Sequence, residues 1–181
     1  MKRHIIAGAG VVAALALASA PATAGPSDPP IRPLTGSVVT QDTMGPPDGC
    51  TMPDAMWSFS GEGPGTFSHL GTVWFEIEHC SAFTGPTTGV FGGGTITVTA
   101  ANGDQLFMTE EGSFELVLDP TNTFPISSLI ELEWEIVGGT GRFVGATGEG
   151  TANPIGDLVG GTTSATLTGT IAYDASNRAQ R

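Results

Sequence analysis

The chain has 181 residues, 39% hydrophobic and 13% charged, and its 18 Asp and Glu outnumber 6 Lys and Arg for a net charge of −12. An acidic chain of this kind repels phosphate backbones and anionic lipid, which argues against nucleic acid and membrane partners. The same charge favours solubility outside a cell.

The first residues bear on compartment. Lys2, Arg3 and His4 precede an apolar run over residues 5–18, and Ala22, Thr23 and Ala24 follow with small side chains where a signal peptidase cuts. Residues 1–24 therefore read as a secretory signal peptide. The run is too short and too rich in Ala and Gly to span a bilayer. Removing Lys2 and Arg3 leaves four cations against 18 acids, on a chain long enough for one domain with a sizeable core. In an oxidising compartment Cys50 and Cys80 are expected to form a disulfide. They lack CxxC spacing and further ligands, so neither a metal nor a cofactor is expected.

Residues 25–33 carry Pro26, Pro29, Pro30 and Pro33 and read as a linker. A first strand is expected over 34–42, ended by the turn residues Gly45, Pro46, Pro47, Asp48 and Gly49. Ala55, Trp57 and Phe59 alternate with Met56, Ser58 and Ser60 as a second strand, which the glycines of 61–65 are expected to break. Over 72–80, Val73, Phe75, Ile77 and His79 share one face, and Trp74, Glu76, Glu78 and Cys80 share the other. Carboxylates are seldom buried unpaired, so the glutamates should face water.

Residues 83–93 read as a turn-rich loop, and 95–100 as a clean amphipathic strand. Asn102-Gly103 is a strong hairpin signal. A three-residue loop with Gly103 left-handed places Leu106 opposite Val98 and Met108 opposite Ile96, which burial favours over the two-residue register. That choice turns Glu110 inward. Phe114, Leu116 and Leu118 make the apolar face of the next strand, and 121–128 reads as a surface loop pinned by Phe124, with a lid over a barrel mouth as the alternative. Leu132, Trp134 and Ile136 alternate with Glu131, Glu133 and Glu135. A glycine turn follows at Gly138, Gly139, Thr140 and Gly141, and Arg142 and Phe143 open another strand. Ala165, Leu167, Gly169, Ile171 and Tyr173 form the inner face of the last strand. Residues 175–181 read as a loose polar tail.

The domain is thus one all-β unit over 34–174 of about eight strands, each with one polar face. An antiparallel β-barrel and a β-sandwich both give this pattern, and closure leaves no exposed edge.

The run from Trp134 to Gly148, above all Gly138 to Phe143 with Gly148, resembles the signature of the allene oxide cyclase-like barrels, the superfamily that also contains the plant dirigent proteins. Phe67-Ser68-His69-Leu70-Gly71, Ala101-Asn102-Gly103-Asp104 and the positions of Cys50 and Cys80 are similar to those of small secreted bacterial members. The resemblance implies an eight-stranded antiparallel barrel whose central cavity holds an apolar molecule or guides a cyclisation or radical coupling. No position matches a family's catalytic residues well enough to carry a role over, and fold alone does not supply function.

Two residues are candidates for acid/base work, His79 on an apolar face and the inward Glu110; hydrogen bonding at a strand end is the ordinary use of each. Arg142 is expected to tie the glycine turn through carbonyls or a Glu. His69 has no ligand cluster around it. The favoured reading is a secreted, non-catalytic binding or structural barrel, with Phe75, Ile77, Leu106, Met108, Leu116, Trp134 and Tyr173 lining a site for a small apolar molecule. A homo-oligomer is compatible with it. The competing reading is a cyclase or isomerase in which Glu110 or His79 assists. A carbohydrate surface would need Trp57 and Trp74 exposed together.

Overall fold

The computed structural model describes residues 28–175; the expected signal peptide at 1–24 and residues 176–181 of the expected tail lie outside them. Nine strands follow in chain order: β1 (Ile31–Gly45), β2 (Trp57–Phe67), β3 (Gly71–Phe83), β4 (Thr88–Ala100), β5 (Gln105–Leu118), β6 (Pro125–Gly139), β7 (Thr147–Ala152), β8 (Ile155–Asp157) and β9 (Thr162–Ala172). Each pairs antiparallel with the next, except that β7 and β8 both lie between β6 and β9. β1 pairs with β9 from Ile31↔Ala172 to Gln41↔Thr162 and closes the ring. The protein is therefore an antiparallel β-barrel and not a sandwich, its nine strands filling eight positions.

Alternation decides what faces inward. In β3, Val73, Phe75 and Ile77 are buried and Trp74, Glu76 and Glu78 are exposed. In β6, Leu132, Trp134 and Ile136 are buried between the exposed Glu131, Glu133 and Glu135. The β4–β5 hairpin has the three-residue register, with Ile96 opposite Met108 and Val98 opposite Leu106, and Gly103 at φ 85° makes the turn.

Several strands run further than their patterns suggest. β1 begins at Ile31, so Ile31, Arg32 and Pro33 belong to the barrel and not to a linker. Pro33 is tolerated because its carbonyl faces away from β9 and accepts from His69 Nε2, so the missing N–H removes no β1–β9 bond. β2 continues unbroken through the glycines of 61–65. Close approach demands them, since a Cβ at Gly63 would overlap the Val39 carbonyl oxygen. The expected loop at 83–93 shrinks to the turn after Phe83, and Thr88 to Gly94 join β4. β6 starts at Pro125. Phe124 is 65% exposed and pins nothing. The loop before it is held by the Asp119 carboxylate, which accepts from the Thr121 hydroxyl and from the amides of Thr121, Thr123 and Phe124.

One end of the barrel is closed by side chains. After β6 the chain turns inward through a 3-10 turn, Gly141–Phe143, which Gly141 permits at φ 57°. Phe143 is thereby driven fully inside, against Tyr173 at 5.0 Å between ring centroids. Leu34, Leu106 and Ile171 around it are wholly buried.

Candidate active site

The opposite end of the barrel is open, and a cavity of about 200 Å³ runs into it. Its wall is apolar for most of its depth, from Phe75, Ile77, Phe91, Leu116, Ile130 and Leu167. Of the residues proposed from sequence to line a ligand, Phe75, Ile77 and Leu116 lie on this wall. Leu106, Met108, Trp134 and Tyr173 sit instead in the packed core, the first two at 0% and 1% exposure. Inward alternation brought them all into the barrel; large ladder side chains such as Trp134, together with the inserted Phe143, fill the half in which these four sit.

The polar groups of the cavity fall into two sets. Towards the mouth, Asp42 Oδ1 accepts from the Thr40 hydroxyl at 2.6 Å and Oδ2 from the Thr163 hydroxyl at 2.7 Å. Asp157 also lies on the lining. The second set is His79, whose Nδ1 lies 2.8 Å from Oε1 of Glu110 behind the lining, with the two side chains 12% and 0% exposed. Among the described residues no Lys or Arg lines the cavity.

Local sequence builds the His79–Glu110 pair. These residues stand on β3 and β5, with β4 between them. Gly94 pairs with Glu110, and the β3–β4 register around Glu78↔Thr95 sets it beside His79. With no side chain at 94, the Glu110 carboxyl crosses over β4 to the imidazole; a Cβ there would overlap Oε1. The run Gly92, Gly93, Gly94 forms a bulge, visible as register shifts against both neighbouring strands. On the outside the bulge is backed by the loop between β1 and β2. The Cys50–Cys80 disulfide, with a Cα–Cα distance of 5.7 Å, holds that loop to β3 next to His79, and the Met56 amide donates to the Ser81 carbonyl.

The imidazole is fixed on three sides. Phe59 stacks on it at 4.7 Å and 12°, and Phe91 at 4.6 Å and 24°. Glu110 takes Nδ1, while among the described residues no hydrogen bond engages Nε2 on the cavity-lining ring. Glu110 Oε2 is buried without a hydrogen-bond partner, as is Nε1 of Trp134, which pairs directly with Glu110 on β6.

The remaining expected site residues lie elsewhere. Arg142 sits at the closed end with Nε 3.5 Å from Asp104 Oδ2 and its guanidinium over the Phe143 ring; its partner is an Asp from the β4–β5 turn, in place of a carbonyl or Glu. His69 Nδ1 meets the Tyr173 hydroxyl at 3.5 Å, also at the closed end. Trp57 packs against Phe83 and Phe114 and lines the cavity, whereas Trp74 faces outward at 45% exposure. The two indoles thus form no shared flat surface. Among the described residues no three His, Cys, Asp or Glu side chains converge on a metal position, and no helix is long and apolar enough to cross a membrane.

Against family models, curated proteins and solved structures, the chain finds no match.

Proposed function

We propose that this is a secreted barrel that holds a small apolar molecule in its open end. The observation that carries the reading is the contrast within one barrel, a hollow apolar half joined to a half packed to the limit by Phe143. Burying an apolar ligand there releases wall and ligand surface from water at about 25 cal/mol per Å². The volume of about 200 Å³ exceeds the ~150 Å³ that accepts benzene and falls below the ~300–1,000 Å³ of drug-sized sites. A ligand of one or two rings is the match. With Asp42 and Asp157 on the lining and no Lys or Arg among the described lining residues, the ligand is neutral or carries an amine, and a carboxylate is disfavoured. The amino-terminal signal pattern and the Cys50–Cys80 disulfide support export. The barrel and the glycine run ending in Phe143 support kinship with the allene oxide cyclase-like superfamily.

Native mass spectrometry of the exported protein tests the reading. The expected spectrum contains a species heavier than the disulfide-bonded chain by one small organic molecule, or gains one when an apolar amine such as tryptamine is added. Bare protein under both conditions would overturn it.

A further inference from the structure

Among the described residues the barrel buries two carboxylates, and it partners them differently. At the closed end Asp104, with its side chain 4% exposed, faces the guanidinium of Arg142, a cation that does not give up its proton in proteins. Behind the cavity-lining His79, Glu110, with its side chain 0% exposed, faces an imidazole, the kind of side chain whose proton comes and goes near neutral pH. Charge balance alone would be served at both places by Arg. The hollow half has the exchangeable proton.

From this contrast we infer that His79 and Glu110 form a proton-transfer centre, in which His79 Nε2 removes a proton from a weakly acidic C–H of a small apolar substrate. The inference rests on the cavity's being a ligand site. With Glu110 as a carboxylate, Nδ1–H donates to Oε1, which leaves the lone pair on Nε2, the ring nitrogen with no partner among the described residues. That is the base-and-orienter arrangement of general acid–base sites. The Phe59 and Phe91 rings hold the imidazole plane, and they attract the imidazolium that forms. An apolar substrate seated against Phe75, Ile77 and Phe91 displaces water from the ring, so the base acts with less of a hydration shell.

The step balances within one substrate. The C–H bond breaks, its electron pair delocalises into an adjoining carbonyl or imine, and Nε2 gains the proton. The imidazolium then returns that proton to a different atom of the same molecule, so the net reaction is an isomerisation that needs no oxidant, reductant or second substrate. His79 is the catalytic residue and Glu110 a positioning residue that stabilises the charged ring. The other ionisable groups on the cavity lining are Asp42 and Asp157, and Asp42 is occupied by the Thr40 and Thr163 hydroxyls.

The probe is 5-nitrobenzisoxazole, a bicyclic neutral molecule from which a base takes the ring C–H proton while the N–O bond opens to a yellow cyanonitrophenolate. Binding is followed separately with indole, which does not react, by calorimetry. The purified protein is expected to open the ring with saturation kinetics and faster than free imidazole at equal concentration. His79→Gln, which can still donate to Glu110, is expected to keep a saturable indole site and lose about 10²-fold or more in rate, the usual share of a general base. Glu110→Gln, which can still accept from Nδ1, is expected to lower kcat and leave KM in place, with the nitrogen NMR shifts of His79 still reporting the Nδ1–H tautomer. The double variant His79→Phe/Glu110→Leu removes the pair without leaving a buried charge and serves if a single variant misfolds. It is expected to bind indole and show no saturable turnover. Indole binding with turnover that is absent, or unchanged in His79→Gln and in the double variant, overturns the proton-transfer centre and leaves the binding site standing. Failure of both indole binding and turnover overturns the centre together with the ligand site beneath it.

Discussion

The two ends of this barrel are made from the same eight-position wall and the same alternation, yet one is solid and the other hollow. The closed end is filled from outside the ladder. The chain after β6 folds back through Gly141 and inserts Phe143 at 0% exposure. At the open end no segment of the described residues folds in, and large side chains such as Trp57 and Phe114 pack sideways against one another at 6.0 Å. The lesson is that a sheet's inward face specifies apolarity, whereas its filling is set by whatever the connections push inside.

Truncation should separate the two ends most sharply. Phe143→Ala is expected to cost about 3–5 kcal/mol, because the void it leaves is enclosed on all sides. Leu116→Ala, on a wall already facing the cavity, should cost less than about 2 kcal/mol. Chemical denaturation of both variants gives the comparison, and equal losses would break it. Gly94→Ala comes next, at about 1–3 kcal/mol, since its methyl group competes for space with the Glu110 carboxyl. Its more telling readout is loss of the His79–Glu110 hydrogen bond in nitrogen NMR, while Asp104–Arg142 at the other end stays in place.

The smallest effect concerns the β5–β6 loop. The Thr121 hydroxyl, followed by the amides of Phe124 and Thr123, lowers the Asp119 pKa from 3.8 to about 2. A depressed carboxylate supports the folded loop above its ordinary pKa and stops doing so as pH falls through the folded value. Protection of the Thr123 and Phe124 amides, measured relative to their unstructured exchange rates at each pH, should therefore hold down to pH 3.8 and fall as pH approaches 2. Asp119→Ala should remove that pH dependence without altering the closed end.

Much of this molecule is legible in its residues, and the parts that are not have a common cause. Strands with branched and aromatic side chains on one face announce themselves, and the requirement to bury Leu106 and Met108 is enough to set the hairpin register and turn Glu110 inward. Glycine carries no pattern of period two, so residues 61–65 and 92–94 read as breaks although both lie within strands. In each case the missing side chain is the point. Gly63 lets backbone approach, and Gly94 opens the path by which Glu110 reaches His79. A contact between strands that are not neighbours has no local signature, which is why His79 and Glu110 are individually visible as candidates while their pairing is not. The filled half could not be told from the hollow one for a similar reason. Phe143 reads as the start of a strand, and the three-residue turn that carries it inside shows only as a glycine-rich run.

A nitrogen–proton NMR titration of the intact protein with indole, read residue by residue, shows which half of the barrel takes the ligand. Shifts concentrated at Ile77, His79, Leu116 and Ile130, with Leu106, Phe143 and Ile171 unmoved, are the predicted result. Shifts at the closed end, or none in the cavity wall at saturating indole, would contradict it.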